Sequence, residues 1–527
     1  TMETRVLVLV SLASVATASF PSSFGGCPST PQLNALPKSL PTGIQQALQR
    51  SEEAARLIQS QGVAPVDSGL WTTPTSAISV GVVYDQDLLW SKGFGLRNQS
   101  DPASIVDEHS EFRIGSISKI FAMLSLMQAR DEGLVNLDDE VAKHMPGFKV
   151  KPALGRNAGS TRRGVTLEQL ATHMGGLSRE SPCDRSLGCF MTNEEAMARV
   201  RNTTAILPPA TMPVYSNMGF DVLGHTIAAT RNMSYEDMIH EHIVEPMGLT
   251  DTGVNITTAH RSRLALPYLE GKRPCGDACL QDFGWSNPCG SMFSSVADLA
   301  KIASLVFRDN VPFGSRPDQI LDGATLRETL LPRYITPDRE GGYGMTWELY
   351  RVGDYMIRTK RGDVEGYASE LILVPELKLG IVVLASIVEH AQATAQTLTG
   401  LLLPAFDSHF RSLGPATSAP SPLDVRGTYR PNLETLPTLH VTETNGVLYF
   451  DWIPSTLEYL GTEETNDGDE FVFRLLPWPG MGAGPAAATC TRTQSDDWWN
   501  LVKFRKDGDG GVALTADVAY GALWRRE

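Results

Sequence analysis

Alternating apolar and polar positions mark two short runs early in the chain, at residues 77–84 and 88–94. They flank the polar tripeptide 85–87, and this pattern predicts a β-hairpin. The periodicity then becomes that of a helix between Ser116 and about Arg130. The first half of the chain is therefore expected to start with strands and to continue with helices and loops.

Strand-like runs return much later, at 369–374 and 379–386, and an apolar helix around 391–403 follows them. A sheet whose strands come from both ends of a long segment, with helices inserted between them, is an α+β arrangement. The predicted fold class is therefore α+β, in a domain that extends over residues 19–413 with a core at about 77–405.

The pattern changes again beyond this domain. Residues 414–424 are rich in Pro, Ser and Ala, which is typical of a linker. Short alternating runs and the turn signal Asn445-Gly446 then predict a β-rich C-terminal domain over 425–527. Its other predicted strands lie in three segments: 471–475, 500–505 and 512–524. Five of the nine Trp residues fall here, and we interpret them as core rather than as a carbohydrate platform.

The first residues have the composition of a secretory signal peptide. A weakly basic start is followed by an apolar stretch and by the small residues Ala16 and Ala18, which fit a cleavage site. We therefore predict that residues 2–18 are a signal peptide and that the protein is secreted. An N-terminal anchor helix is the weaker alternative, because the apolar stretch is too short to span a bilayer.

Sequons and cysteines agree with secretion. Four Asn-x-Ser/Thr sequons are candidate glycosylation sites: Asn98, Asn202, Asn232 and Asn255. The seven cysteines are expected mostly to pair in an oxidising compartment, and their spacing leaves the connectivity open. Cys183 and Cys189 could bridge a loop, and the cluster at 275, 279 and 289 could supply another bridge. That cluster lacks a neighbouring His to complete a zinc site, so we expect no metal.

Charge and composition exclude several function classes. With 45 Lys and Arg against 60 Asp and Glu, the net charge is −15, which repels phosphate backbones and anionic lipid. We therefore expect neither nucleic-acid nor membrane binding. The chain has no Gly-x-Ser-x-Gly elbow, phosphate-binding loop, dinucleotide-binding turn or His-Glu-x-x-His motif.

Ser116 and Lys119 are the first candidates for catalysis. If a helix begins at Ser116, the two side chains lie on one face, one turn apart. A serine hydroxyl is a weak nucleophile until a base takes its proton, and a neutral amine can help. The free N–H groups of a helix N-terminus also suit a developing oxyanion. Standing alone, this motif is weak evidence, because a single copy usually belongs to a surface helix.

Two further motifs carry candidate site residues. A hydroxyl such as that of Tyr215 can relay a proton when cations lower its pKa, and Asn217 can hold a lysine and a substrate carbonyl together. The alternative is a helix cap at Ser216 or Asn217. Lys360 and Gly362 place a cation beside a glycine, which on an edge strand permits close approach of a ligand. A solvated charged loop is the alternative for this segment.

Together, the order, separation and flanks of the three motifs resemble the serine β-lactamase and penicillin-binding protein superfamily. The similarity is greatest to class C β-lactamases and their esterase and D-aminopeptidase relatives, and it extends from about 77 to 405. With its tail domain, the chain resembles fungal secreted β-lactamase-like proteins. The resemblance implies a β-lactamase/transpeptidase-like fold, an antiparallel sheet flanked by helices. The flanking segments that share it are 137–139 with Pro146, 165–167, 173–177, 245–252 and 290–295.

The resemblance assigns roles to the matching residues. It makes Ser116 the acylated nucleophile and Lys119 its base partner. Tyr215 becomes the general acid and base of the class C-like branch, and Asn217 orients Lys119 and the substrate. The oxyanion is expected between the backbone N–H groups of Ser116 and Asp363.

The third motif both matches and departs from the family pattern. Lys360 stands where relatives carry Lys or His, and Gly362 follows it as a substrate-binding position. Arg361 replaces a small residue, and Asp363 replaces the usual Gly or Ser beside the oxyanion hole. Both substitutions are bulkier and charged, which argues against hydrolysis of β-lactam antibiotics.

The resemblance implies a secreted serine hydrolase that forms an acyl-enzyme with an ester, amide or lactam. The expected partner is a small-molecule or short-peptide acyl substrate, no cofactor is expected, and the protein is expected to be a monomer. An acyltransferase of natural-product biosynthesis is one alternative. An alternative of another class is a catalytically silent binding protein on the same fold. The presence of all four motif residues argues against it: Ser116, Lys119, Tyr215 and Lys360.

Overall fold

The computed structural model forms two compact units, one spanning Thr42–Ala405 and one that includes the described residues from Phe406 onward. The predicted signal peptide and most of the predicted linker lie outside the described residues. The structure describes residues 36–60, 76–154, 164–180, 189–269, 273–274, 280, 282–413, 423–432, 438–444, 447–451, 455–465, 468–477, 501–506, 511–516 and 524–526.

An eight-stranded antiparallel sheet forms the centre of the first unit. Its strands are β1 (Ile78–Tyr84), β2 (Asp87–Phe94), β7 (Tyr334–Ile335), β8 (Gly341–Tyr343), β9 (Glu348–Val352), β10 (Tyr355–Val364), β11 (Tyr367–Val374) and β12 (Leu379–Ala385). They are arranged in the order β2-β1-β12-β11-β10-β9-β8-β7. The early hairpin therefore pairs with the late strands, as the sequence predicted.

Strands β1 and β12 are almost entirely apolar. All seven positions of β1 and all seven of β12 are buried, and Ile78 lies opposite Ala385 at one end of their ladder. By contrast, β2 at the edge is mostly half-exposed. A strand covered on both faces has no need of a polar face, which explains these nearly continuous apolar runs.

The helices of the first unit pack around this sheet. They are α1 (Thr42–Ser60), α2 (Ser118–Asp131), α3 (Val141–His144), α4 (Leu167–Ala171), α5 (Asn193–Val200), α6 (Asn217–Thr230), α7 (Tyr235–Ile239), α8 (Thr258–Arg261), α9 (Asn287–Gly290), α10 (Val296–Val306) and α11 (Gly323–Thr329). A further helix, α12 (Val388–Ser412), begins in the first unit and ends in the second. Residues 118–129 of α2 are all buried. A helix that is buried on every side belongs to the centre of a core, and α2 is the helix that follows the candidate nucleophile.

Two pairs of short strands complete the first unit. They are β3 (Phe112–Arg113) with β6 (Phe293–Ser294), and β4 (Tyr268–Leu269) with β5 (Arg273–Pro274). The β3–β6 pair anchors the chain immediately before the turn that carries Ser116. The predicted α+β class and β-lactamase/transpeptidase-like fold are confirmed. Within the described ranges, none of the helices combines the length and the apolar composition needed to cross a bilayer.

The second unit contains a closed eight-stranded barrel. Its strands are β13 (Gly427–Pro431), β14 (Leu439–Thr444), β15 (Val447–Phe450), β16 (Ser455–Thr465), β17 (Gly468–Pro477), β18 (Leu501–Lys506), β19 (Val512–Ala516) and β20 (Trp524–Arg526). The segment predicted as one strand at 512–524 contains two. Asn445-Gly446 lies outside the described residues.

Large apolar side chains fill the barrel. The rings of Tyr429 and Phe473 each lie against Phe504, with centroids 5.5 and 5.2 Å apart, and Trp524 is fully buried. The other four Trp residues of this region lie outside the described residues. Leu423, which the sequence placed in the linker, is only 7% exposed and packs in this core. The linker therefore ends before residue 423.

The barrel is expected to fold as an isolated fragment of residues 423–527. Its circular dichroism should show a β spectrum with a cooperative thermal transition. Because Leu423 is buried, Leu423→Ala should lower the free energy of unfolding of the fragment by about 2–5 kcal/mol. Exposed Leu460 offers a matched control, since Leu460→Ala should cost little. A fragment without β structure would show that the barrel depends on the rest of the chain.

Candidate active site

Ser116 lies on a tight turn between β3 and α2. Gly115 begins a 3₁₀ turn with φ of +49°, a conformation that favours glycine, and α2 starts at Ser118 rather than at Ser116. The Ser118 hydroxyl donates to the carbonyl of Gly115 at 2.7 Å and accepts from the backbone N–H of Met292 at 3.1 Å. This fixed turn holds the half-buried Ser116 one helical turn from Lys119.

Lys119 is fully buried and is hydrogen-bonded in three directions. Its Nζ lies 2.9 Å from Oγ of Ser116, 2.8 Å from Oδ1 of Asn217 and 2.5 Å from the carbonyl oxygen of Cys289. An ammonium group has three N–H donors, and each has an acceptor here. Lys119 therefore links the nucleophile to the start of α6 and to α9.

Tyr215 contacts the same serine oxygen from the other side. Its hydroxyl donates to Oγ of Ser116 at 2.6 Å. Nζ of Lys119, Nζ of Lys360 and Cζ of Arg179 each lie 5.0 Å from the centroid of its ring. Burial alone would raise the pKa of Tyr215, but the charges of Lys119 and Lys360 outweigh it and lower that pKa.

His173 supports the tyrosine ring. The two rings are stacked with centroids 4.4 Å apart, and Nδ1 of His173 accepts the backbone N–H of Ser216 at 3.1 Å. Burial, followed by the charges of Lys360, Lys119 and Arg179, lowers the pKa of His173 well below its usual value. The imidazole is therefore neutral at pH 7, with its proton on Nε2.

Ser216 and Asn217 begin α6. The Ser216 hydroxyl accepts from the backbone N–H of Gly219 at 2.9 Å, which is an N-cap. Asn217 uses both ends of its amide: Oδ1 accepts from Lys119, and Nδ2 donates to the carboxylate of Glu180 at 3.2 Å. The sequence offered a helix cap and a site role as alternatives. The structure shows the cap at Ser216 and the contact with Lys119 at Asn217.

Lys360 is buried in β10 and is paired with a carboxylate. Its side chain is 0% exposed, and Nζ lies 2.7 Å from Oε1 of Glu348 on β9. Burial alone would lower the pKa of Lys360, but Glu348 and Tyr215 raise it above its usual value. Lys360 is therefore a permanent cation beside the Tyr215 ring.

Gly362 lies where β10 approaches the nucleophile turn. A Cβ at this position would lie 1.9 Å from the carbonyl oxygen of Ile114 and 2.8 Å from the backbone nitrogen of Ser116, so only glycine fits. A Cβ on Gly115 would likewise lie 2.8 Å from the backbone nitrogen of Asp363. The Ser369 hydroxyl donates to the carbonyl of Ile114 at 2.8 Å. The backbone segments that carry the nitrogens of Ser116 and Asp363 are therefore packed directly against each other.

The side chains of Arg361 and Asp363 form an ion pair on β10. Nε of Arg361 lies 2.8 Å from Oδ2 of Asp363 and 3.9 Å from Oε1 of Glu370. Burial raises the pKa of Glu370 to about 7, although Arg361 partly opposes this shift. The two residues that depart from the family pattern therefore neutralise each other.

Comparisons with known proteins agree with this geometry. The family model described as "Beta-lactamase" matches residues 66–402. The chain belongs to the β-lactamase family. The human protein named "Putative beta-lactamase-like 1" is 34% identical over 367 residues, which cover 68% of each chain.

Solved structures show that the fold is shared within the serine β-lactamase and penicillin-binding protein superfamily. An octameric penicillin-binding protein homologue from Pyrococcus abyssi is 20% identical, with a TM-score of 0.54 over 91% of this chain and 99% of that one. A class C β-lactamase from Rhodobacter sphaeroides is 22% identical, with a TM-score of 0.52 over 69% of this chain and 100% of that one. At these identities the likeness concerns the fold.

The β-lactamase fold brings the predicted residues together at one place. Ser116, Lys119, Tyr215 and Asn217 are joined by direct hydrogen bonds, and Lys360 lies across the Tyr215 ring. The edge position predicted for Lys360 needs correction, because β10 lies inside the sheet. However, the pairing of β10 with β9 ends at Thr359, whereas the pairing of β10 with β11 continues from Lys360 to Val364.

Sequence reasoning missed three contributors to this site. Glu348 and Ser369 were not singled out, and His173 was noted only within a flanking segment. Nothing in the sequence links Glu348 to Lys360, because their contact depends on the register of two adjacent strands. The residues that follow His173 in the sequence, 174–177, gave no indication that its ring stacks on Tyr215.

The remaining predicted sites are partly described. The sequon residues Asn202, Asn232 and Asn255 are exposed, and Asn98 is half-buried. Cys189 is disulfide-bonded, whereas the buried Cys289 keeps its thiol, which donates to the carbonyl of Ser286 at 3.2 Å, and does not contribute the bridge suggested for its cluster. The other five cysteines lie outside the described residues. Among the residues that the structure describes, no group of three His, Cys, Asp or Glu could hold a metal ion.

Proposed function

We propose that this protein is a secreted serine hydrolase that forms an acyl-enzyme on Ser116. The observation that carries the proposal is the double contact at Oγ of Ser116, which lies 2.9 Å from Nζ of Lys119 and 2.6 Å from the hydroxyl of Tyr215. A nucleophile and a base within hydrogen-bond reach, with the base oriented by further groups, is the arrangement that covalent catalysis requires.

In the proposed reaction, Tyr215 as phenolate takes the proton of Ser116 while Oγ attacks the acyl carbon. The backbone N–H groups of Ser116 and Asp363 donate hydrogen bonds to the developing oxyanion, whose electron pair then expels the leaving group. Tyr215 returns the proton to the departing oxygen or nitrogen. Water, deprotonated by Tyr215, attacks the acyl-enzyme in the same way and regenerates the serine.

The substrate class is an ester, amide or lactam of a small molecule or short peptide. Two alternatives differ at the second step: in an acyltransferase another alcohol or amine replaces water, and in a silent binding protein the acyl group is never released. Intact-mass spectrometry after addition of a fluorophosphonate or penicillin probe tests the first step. The products formed from an acyl ester are then compared with and without an alcohol acceptor. Free acid indicates a hydrolase, a new ester of the alcohol indicates an acyltransferase, and a persistent adduct indicates a silent binding protein.

Removal of the Lys360 cation is expected to shift the pH dependence of catalysis. Because Lys360 lowers the pKa of Tyr215, the double variant Lys360→Met/Glu348→Gln should move the acidic limb of kcat/KM to higher pH. Removing both partners avoids leaving a buried carboxylate unpaired. The matched control is Arg358→Met/Glu376→Gln, which removes another ion pair of β10. An unmoved limb would contradict electrostatic coupling between Lys360 and Tyr215.

Secretion, glycosylation and a monomeric state are part of the same proposal. Secretion and glycosylation rest on the composition of residues 2–18 and on the four sequons, three of which present exposed asparagines. Expression of the chain in a eukaryotic secretory host, with and without these first residues, tests export. Treatment with a glycosidase, and light scattering of the purified protein, test the other two.

A further inference from the structure

Besides Lys119, the cations Lys360 and Arg179 lie against the Tyr215 ring, and Arg361 follows Lys360 on β10. Each of these three cations is paired with a carboxylate of the chain itself. Lys360 is paired with Glu348 at 2.7 Å, Arg361 with Asp363 at 2.8 Å, and Arg179 with Glu180 at 3.2 Å. Lys119, in turn, is surrounded by three neutral acceptors. Arg179 and Glu180 are largely exposed, whereas the Lys360–Glu348 pair is buried, so the buried position at which an anionic substrate group would gain most is already occupied.

Lys360 is the strongest case. Its side chain is 0% exposed, and Nζ contacts both Glu348 and the carbonyl oxygen of Arg361. A substrate carboxylate could bind Lys360 only by displacing Glu348, whose side chain is 15% exposed, and that would leave Glu348 poorly solvated and unpaired. Glu348 thus performs the charge neutralisation that a carboxylate on the substrate would otherwise provide.

Arg361, the residue after Lys360, is also a paired cation. Its Nε lies 2.8 Å from Oδ2 of Asp363, and the register of β10 is continuous here. Side chains alternate between the two faces of a strand, so Arg361 and Asp363 point to the face opposite Lys360 and Gly362. Arg361 therefore does not replace Lys360 as a partner for an anionic substrate group.

We propose that the site selects acyl donors that carry no carboxylate near the scissile carbonyl, with Glu348 as the main specificity determinant. This inference rests on the proposed function, because it concerns the same acyl-enzyme. The preferred class is an uncharged ester, lactone or amide. Molecules with a carboxylate close to the reacting carbonyl, including β-lactam antibiotics and peptides cleaved next to a free C-terminus, are disfavoured.

The test compares two esters that differ in one charge: 4-nitrophenyl pentanoate and mono-4-nitrophenyl glutarate. The wild-type protein is expected to prefer the pentanoate by at least about tenfold in kcat/KM, mainly through KM, after correction for spontaneous hydrolysis. In Glu348→Gln, Lys360 loses its carboxylate partner, and the preference should fall by about tenfold. Any change in the pKa of Tyr215 affects both esters equally and cancels in this ratio.

Matched controls assign the effect to Glu348. Glu376→Gln removes the carboxylate of another β10 ion pair, with Arg358 at 2.8 Å, and should leave the ratio unchanged. An equal change in both variants would show a general electrostatic effect and overturn the assignment. A wild-type preference for the glutarate, or a ratio that Glu348→Gln leaves unmoved, would also overturn it. If Arg179→Ala alone abolished glutarate turnover, Arg179 would be an anion subsite and the proposal would be wrong.

Failure of catalysis gives a separate result. If neither ester acylates Ser116, the proposed hydrolase function fails. The charge preference is then measured as binding, by calorimetry with pentanamide and glutaramic acid, which carry the same two chains. Weaker binding of glutaramic acid that Glu348→Gln relieves would uphold the specificity inference on a binding protein, and equal binding would reject it.

Discussion

Ser116→Ala is expected to lower kcat by about 10⁶ and to abolish covalent labelling, since loss of a nucleophile removes the acyl-enzyme pathway entirely. Steady-state kinetics and intact-mass spectrometry with a fluorophosphonate measure the two effects. The substrate KM should change much less, because the residues proposed to bind the substrate are untouched. Undiminished labelling of the variant would remove Ser116 from the role of nucleophile.

The same substitution should hardly affect stability. Lys119 keeps its contacts with Asn217 and with the carbonyl of Cys289, so the free energy of unfolding should change by no more than about 1 kcal/mol. Ser125→Ala is the matched control, because Ser125 lies buried on α2, the helix that follows Ser116, and its hydroxyl has no partner in the described structure. Activity should survive in that variant.

Tyr215→Phe is expected to lower the rate of acylation by about 10²–10⁴, the usual contribution of a general acid or base. The ring stays in place against His173 and near both lysines, so the variant removes little besides the hydroxyl. The loss should be similar for esters with different acyl groups, because proton transfer does not depend on them. Stopped-flow measurement of the 4-nitrophenolate burst gives this rate.

A control and a second readout separate catalysis from binding. Tyr334→Phe makes the same change on β7, the edge strand three positions from β10 in the sheet, and should leave acylation unchanged. The acidic limb of the pH profile should disappear in Tyr215→Phe if Tyr215 supplies the base. A loss that varies widely between acyl groups, with the pH profile intact, would make Tyr215 a binding residue.

Much of the fold was predictable because its strands and helices carry strong local patterns. The early hairpin, the strands at 369–374 and 379–386 and the helix after Ser116 all correspond to observed elements. Boundaries were less predictable, since they depend on packing: Leu423 has the composition of a linker residue but packs in the barrel core. The helix start predicted at Ser116 lies at Ser118, because a 3₁₀ turn precedes it.

The candidate site was predictable only where residue types recur at short spacing or in a familiar order. Ser116 and Lys119 share one helical turn, and the positions of Tyr215 and Lys360 followed from the resemblance. The partner of Lys360 could not be found in this way, because an ion pair with Glu348 depends on strand register. Likewise, the stacking of His173 on Tyr215 requires tertiary structure. The assignment of catalytic roles stays a prediction until the variants are measured.

The pairing of β1 with β12 has a consequence for synthesis on the ribosome. Roughly 300 residues separate the two strands, and at about 5–20 residues per second the ribosome needs some 15–60 s to make them. Throughout that interval β1, whose seven residues are all buried in the finished sheet, lacks its neighbour β12. The turn that carries Ser116 also lacks the segment around Gly362 that packs against it. The nascent chain is therefore prone to aggregation, and its incomplete site cannot form an acyl-enzyme on Ser116. We expect chaperones to bind its first half during translation.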